Sequence, residues 1–287
     1  MTISSQFCDY EYIFINCFIF LPHMTQNQRS NNSPLQFWAT LWSWILVWSH
    51  VLSGLLTLFF KFPLASQKTK NRLIQLWSKN LLSIFGIKLM LNNSKILPST
   101  PYLLASNHIS WMDIHAINAF KPIRFVAKSD VEGWPVFGWM AKQLGTVFIK
   151  RDSHRHGKHV ANEVAKVLET QSVCIFPEGT STVGESVLPF KPNLFESAVI
   201  AQVPVYSLAI SYQSVVSGER SEVAAFVGDM GLLESMAKIL RDRKLVVELT
   251  FLPPSEAIPG SSRDRKWLAL NSQEAISNQL KGDLPSM

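Results

Sequence analysis

Cysteine is scarce in this chain and has no pattern: Cys8, Cys17 and Cys174 are the only three among 287 residues, with no Cys-x-x-Cys spacing. That excludes a disulfide framework and a cysteine-built zinc site, and it fits a reducing compartment. Charge is thin as well. Asp, Glu, Lys and Arg make up 17% of the residues against 47% hydrophobic, with 9 Trp and 18 Phe, so membrane contact is the first expectation. No internal repeat or low-complexity block is present, which removes solenoid and fibrous classes. The apolar run at 10–21 has no basic residue before it and is broken by Glu11 and Asn16, so it is neither a secretory signal nor long enough to span a bilayer. Residues 1–34 are therefore expected to be an extension, with Met24 the natural start. The net charge of +6 suits an anionic lipid surface or anionic substrates, and by charge alone nucleic acid.

Against this background one segment stands out. Residues 35–60 contain no Asp, Glu, Lys or Arg, and as a helix they would reach ~39 Å, enough for a ~30 Å hydrocarbon core with some tilt. Trp38, Trp42, Trp44 and Trp48 crowd the first half, as in an interfacial belt. The segment is read as a transmembrane helix or a deeply embedded one. Lys61, Lys68, Lys70, Arg72 and Lys79 follow it, while Arg29 alone precedes it, which places the long C-terminal part on the cytoplasmic side. In 61–86, apolar residues from Leu73 to Phe85 recur at helical spacing beside those cations, the pattern of a basic amphipathic helix in the headgroup layer or of a helix packed on a domain.

From Ile87 to the end the chain alternates short apolar runs with helical patterns. Strands are expected at 102–105, 124–127, 146–149, 172–176, 203–211, 224–227 and 245–251. Helices are expected from Met112 and near 136–143, 158–169, 194–201, 232–240 and 262–280. This alternation predicts an α/β domain over 87–287, a mostly parallel sheet flanked by helices.

The segment Asn107-His108-Ile109-Ser110-Trp111-Met112-Asp113 follows the first of these runs. On an unbroken helix, side chains five residues apart point about 140° away from each other, so His108 and Asp113 can meet only if the backbone changes state between them. Ser110 followed three residues later by Asp113 resembles a capping box. His108 is then expected in the turn before a helix and Asp113 in its first turn, the two side chains converging. A surface histidine with an acid placed for the helix dipole is the plainer alternative. Further on, Gly145-Thr146-Val147-Phe148-Ile149-Lys150-Arg151 is a strand pattern ending in two cations, and Phe176-Pro177-Glu178-Gly179-Thr180 is a turn pattern holding a carboxylate. Val203-Pro204-Val205 places proline at the start of an apolar strand, as at an edge or a bend.

Taken in order, these four motifs resemble the four blocks of the lysophospholipid and glycerolipid acyltransferases, of which the 1-acylglycerol-3-phosphate acyltransferases are familiar members. The resemblance covers about residues 80–215. It implies that His108 is the general base taking the proton from an acceptor hydroxyl and that Asp113 orients it, with direct acyl transfer and no acyl-enzyme. It assigns Arg151, Lys150, Glu178, Gly179 and Thr180 to the acceptor's polar head and Val203 to Val205 to the acyl donor or to structure. The implied activity is transfer of an acyl group from acyl-CoA or acyl-carrier protein to a lysophospholipid, 1-acylglycerol-3-phosphate giving phosphatidate. No metal, other cofactor or nucleic acid is implied, and the implied location is the bacterial inner membrane.

One departure bears on the acceptor. Many phosphatidate-forming members carry Arg where this chain has Ser181, which leaves Lys191 as the nearest candidate cation for a phosphate. The wording around Ser181 also resembles a branch that includes lyso-ornithine-lipid acyltransferases, so a phosphate-free acceptor is the alternative. A silent lipid-binding protein, and a metal hydrolase using His108, Asp113 and His115, complete the set of readings.

Overall fold

The computed structural model describes residues 34–149, 154–256 and 264–282. The chain divides after Trp38 into two compact units. Of the first, the opening turn of a helix is described, and residues 1–33 with their expected start lie outside the described residues; the second unit, from Ala39, carries everything below.

Helix α1 (Pro34–Leu56) continues into a π turn over Thr57–Lys61 and a 3-10 turn over Phe62–Leu64. Residues 38–64 are long and apolar enough to cross a membrane. Ser43, Val47, Val51, Leu58 and Phe62, at helical spacing, are buried against the domain. Trp42, Ile45, Trp48, Leu52, Leu56, Phe59 and Phe60 are exposed. Helix α2 (Gln67–Ile84) starts where the Ser66 hydroxyl accepts from the Thr69 N–H at 3.3 Å. It buries Ser78, Leu81 and Leu82 and leaves Lys68, Arg72 and Lys79 exposed, so its apolar face is a domain-packing face. Gly54 lets the two helices approach: a Cβ there would come within 2.7 Å of the Trp77 Nε1. Beside it the His50 ring stacks on Trp77 at 4.6 Å, and the Trp77 indole N–H donates to the His50 carbonyl at 3.1 Å.

Seven strands follow: β1 (Ile87–Asn92), β2 (Leu103–Ser106), β3 (Arg124–Lys128), β4 (Val147–Ile149), β5 (Val173–Ile175), β6 (Val205–Ser214) and β7 (Leu245–Ser255). They form one sheet in the order β1-β7-β6-β2-β5-β3-β4. All neighbouring pairs are parallel except β6 with β7, which is the mostly parallel arrangement expected. Between them lie α3 (Met112–Phe120), α4 (Ser129–Glu132), α5 (Phe137–Gln143), α6 (His154–Leu168), α7 (Glu196–Ala201), α8 (Leu232–Asp242) and, last, α9 (Arg265–Gly282).

The two-residue alternation of the strands divides the core. Leu104, Cys174, Leu208, Ile210 and Tyr212 face one layer with α2, α3 and α8, and Leu103, Ala105, Val173, Ile175 and Ala209 face the other with α6, α7 and α9. Each fully buried Leu or Ile contributes about 1.5–3 kcal/mol relative to exposure. The central strands are apolar on both faces, which is why they read as continuous apolar runs.

Three strand expectations need correcting. β1 is a strand where only the start of the domain was expected; its outer residues Lys88, Met90 and Leu91 are exposed at the sheet edge, so it lacks the buried-strand signature. Residues 224–227 are not a strand. Ala224 and Ala225 are buried and the Phe226 N–H donates to the Ile109 carbonyl at 2.9 Å, so this apolar run is a loop lying on the block containing His108. Of the edge and the bend expected at Pro204, the edge is ruled out, since β6 lies between β7 and β2, while the register of β6 on β7 shifts just beyond it, between Val205 and Ser207. Pro204 stands one residue before the strand, where no ladder donor is needed, and its carbonyl accepts from the Leu103 N–H at 3.0 Å.

Candidate active site

The carboxyl ends of β2 and β5, neighbours at the centre of the parallel sheet, aim two loops at one place, where open α/β sheets hold their ligands. Leaving β2, the Ser106 hydroxyl donates to the Leu208 carbonyl at 3.0 Å. The Asn107 amide then adds one more rung toward β6, donating to the Ile210 carbonyl at 2.9 Å and accepting its N–H at 2.8 Å. The chain turns at His108 and enters α3 at Met112. Half of the expected capping box forms: Asp113 Oδ2 accepts the Ser110 N–H at 3.0 Å, whereas Ser110 Oγ accepts from the Met112 N–H at 3.2 Å and the Asp113 N–H donates to the Ser110 carbonyl at 3.1 Å.

That turn converts the awkward spacing into a contact. The His108 Nδ1 lies 2.8 Å from Asp113 Oδ2. Oδ2 also accepts the Ile109 N–H at 2.8 Å, and Oδ1 accepts the Tyr212 hydroxyl at 2.8 Å. Asp113 has 0% exposure, so all four contacts are made out of water, and a carboxylate has the lone pairs to accept them all. Because the carboxylate can only accept, His108 must carry its proton on Nδ1, which leaves Nε2 as the acceptor nitrogen. Burial pushes the Tyr212 hydroxyl well above the ordinary tyrosine range, and the Asp113 carboxylate beside it adds to the rise, so Tyr212 is a proton-bearing donor. The Phe176 ring stacks on the imidazole at 4.1 Å between centroids and holds its plane; the His108 side chain retains 22% exposure.

Glu178 binds backbone. The turn Phe176-Pro177-Glu178-Gly179 is closed by the Gly179 N–H donating to the Phe176 carbonyl at 3.0 Å, with Gly179 at φ 72°. It points Glu178 inward, where Oε1 accepts the His108 N–H at 2.8 Å and Oε2 the Leu188 N–H at 2.9 Å. Burial pushes its carboxyl above the usual range, and the two amides act against that. Thr182 completes the clamp, its N–H donating to the His108 carbonyl at 2.9 Å. Gly184 at φ 83° permits the close return of this loop, since a Cβ there would lie 2.7 Å from the Ile109 Cδ1.

The other sequence-derived candidates fall differently. Thr180 is exposed beyond the turn, and Lys191 is exposed on the strand-like segment whose N–H donates to the Pro177 carbonyl at 3.0 Å. Ser181, at the departure from the family pattern, donates its hydroxyl to the Phe226 carbonyl. Lys150 and Arg151 follow β4 and lie outside the described residues. His115 does not join His108 and Asp113: its Nδ1 is buried with no hydrogen-bond partner, among Trp77 and Trp111. Among the described residues no three His, Cys, Asp or Glu side chains converge as a metal would require. Tyr212 was missed by sequence reasoning, since a tyrosine in an apolar strand carries no local mark of its partner 99 residues away.

Comparison with known proteins gives the family of the chain. The acyltransferase family model matches residues 88–211. The chain is 34% identical to the lyso-ornithine lipid O-acyltransferase of Pseudomonas aeruginosa over 216 residues, covering 74% of this chain and 80% of that one. It is 33% identical to the 1-acyl-sn-glycerol-3-phosphate acyltransferase of Neisseria gonorrhoeae over 210 residues, covering 73% of this chain and 81% of that one. The crystal structure of the 1-acyl-sn-glycerophosphate acyltransferase of Thermotoga maritima superposes with a TM-score of 0.61 at 19% identity, over 87% of this chain and 98% of that one, and so shares the fold. The chain is a member of the acyltransferase family.

Proposed function

We propose that the protein transfers an acyl group from an acyl thioester to the hydroxyl of a lysolipid at a membrane surface. One observation carries the reading: His108 Nδ1 is committed to Asp113 at 2.8 Å, so the free Nε2 is held in one tautomer and one plane as a general base. Nε2 takes the hydroxyl proton as the acceptor oxygen bonds to the thioester carbonyl carbon. The carbon–sulfur bond then breaks, and the imidazolium returns its proton to the departing thiolate. Asp113 stabilises the imidazolium during that interval.

The acceptor proposed first is 1-acylglycerol-3-phosphate, yielding phosphatidate, with acyl-CoA or acyl-carrier protein as donor. A second reading, a phosphate-free lyso-ornithine lipid, is favoured by Ser181, whose hydroxyl is spent on the Phe226 carbonyl at the position where many phosphatidate-forming members carry Arg. The relatives named above include both activities. Incubation of the purified protein with labelled acyl donor and a panel of both lysolipids decides between them. Transfer to lysophosphatidate supports the first, transfer to the phosphate-free lipid alone supports the second, and transfer to neither overturns both.

Access to a lipid comes through α1. Of the two anchors open to it, a deeply embedded helix fits better than a free span, because one face is packed on the domain as far as Phe62 while the other exposes Trp42, Ile45, Trp48 and Leu52. Trp134, Val136 and Trp139 extend this apolar exterior, next to Met140, which packs on Leu58 and Phe62. Such a face buries sideways in one leaflet and brings the domain to the headgroups. The domain is then on the cytoplasmic side of the bacterial inner membrane, where the basic residues that follow α1 meet an anionic leaflet.

A further inference from the structure

The opposite end of the same strands holds a second site. A cavity of about 340 Å³ opens among the residues just before β2, β3, β4 and β5 and the first turns of α2. Lys70, Lys121 and Arg124 line it, and no Asp or Glu does among the described residues. Among the described residues none of the three makes an ion pair. Lys70 rests on the Phe62 ring, its Nζ 5.3 Å from the centroid. Lys121 lies 5.0 Å over the Tyr102 ring and donates to the Pro98 carbonyl at 3.1 Å. Arg124 donates from Nε to Gln171 at 2.8 Å, which orients the guanidinium. Gly145, at φ 77°, leaves the space in front of it clear, for a Cβ would come within 2.9 Å of Nη1. Burial also pushes the Lys121 ammonium below the ordinary lysine range, as befits a cation without a counter-charge.

Three oriented cations with no carboxylate make a site for an anion, and a guanidinium fork beside two ammonium groups suits a phosphate. The surroundings indicate its source. Phe62 borders the cavity in a stretch where Phe59, Phe60 and Leu64 are 65%, 64% and 90% exposed. Cationic side chains next to an apolar rim match the level at which lipid phosphates meet acyl chains. We propose that this cavity binds the phosphate of an anionic phospholipid headgroup, at a site separate from the catalytic pair. The proposal rests on the embedded placement of α1 and not on the acceptor's identity.

The test is equilibrium binding to the full-length protein in neutral detergent micelles, with dihexanoyl phosphatidylglycerol, dihexanoyl phosphatidylcholine, inorganic phosphate and coenzyme A as separate probes. Phosphatidylglycerol is expected to bind more tightly than the other three, to weaken with added salt, and to lose about tenfold or more in Lys70→Gln and Arg124→Gln. Lys88→Gln, an exposed cation on β1, is the control and should bind as the parent does. His108→Ala should also bind unchanged, so a failed acyl-transfer reading and a failed anion site give different results. Lys70→Gln alters a half-buried helix residue and decides the matter if Arg124→Gln loses the fold. Equal binding by Lys70→Gln and the parent overturns the proposal, as does phosphatidylglycerol binding no better than phosphatidylcholine. Tighter binding of inorganic phosphate or coenzyme A overturns the lipid source.

Discussion

The two ends of the central strands treat charge in opposite ways. At the carboxyl ends of β2 and β5, Asp113 takes four donors and Glu178 two, all from the protein itself. At the amino ends, Lys70, Lys121 and Arg124 line a cavity that has no carboxylate among the described residues. The difference matches the roles proposed for the two ends. A general base must be held in one tautomer and one orientation before the substrate arrives, so its partners are built in. An exchangeable ligand needs charges left unspent. The catalytic end should therefore respond to small changes in hydrogen bonding, and the far end to changes in charge and salt.

The sharpest way to break the catalytic end short of removing the histidine is Asp113→Asn. Its amide cannot accept at both oxygen positions, so the Nδ1–H tautomer of His108 loses its support, and kcat should fall on the order of 10³-fold with KM little changed. Glu178→Gln keeps the size but sets an NH₂ against the His108 or Leu188 N–H. A rate loss of roughly 10²-fold is expected from shifting the histidine backbone, with Glu178→Asp recovering little because it cannot reach both amides. Tyr212→Phe removes one donor and leaves Asp113 Oδ1 buried and unpaired. A cost of about 1–3 kcal/mol should appear in thermal unfolding, with a rate loss near tenfold.

The last expected effect concerns pH and stability, not the rate of transfer. Burial, aided by the His50 imidazole, holds His115 at about 4 against an ordinary 6.5. A histidine whose folded pKa is depressed is neutral in the fold, so its stability contribution is whole above pH 6.5 and is lost as pH falls toward 4. The loss amounts to about 3 kcal/mol at most, since the unfolded chain binds the extra proton in that window. His115→Gln should flatten the melting temperature between pH 6.5 and 4, and an unchanged slope would remove His115 as its cause.

Legibility followed the range of the interactions. The alternation of strands and helices, and the helical turn that brings His108 to Asp113, rest on residues within a few positions of one another, and the sequence displays them. The partners of that pair do not. Tyr212 reaches Asp113 across β6, and Glu178 reaches the His108 backbone from β5, contacts that exist only once the strand order is set. Glu178 was expected at the acceptor's head group, and the sequence did not display the two amides that its oxygens accept. Ala224 to Val227 misled for a related reason, being apolar because it covers the Ile109 loop. The cationic cavity was invisible in the same way, because only the fold brings Lys70 of α2 to Lys121 and Arg124 at the entry to β3.

The central claim is that His108 Nε2 takes the proton from a lysolipid hydroxyl, and one measurement tests it directly: transfer of a labelled acyl group from thioester to lysolipid by the parent protein and by His108→Ala. The account predicts that the variant keeps its melting temperature and loses transfer by 10³-fold or more, with no labelled acyl-protein in either. Transfer by His108→Ala at the parent's rate, or label trapped covalently on the protein, would contradict it.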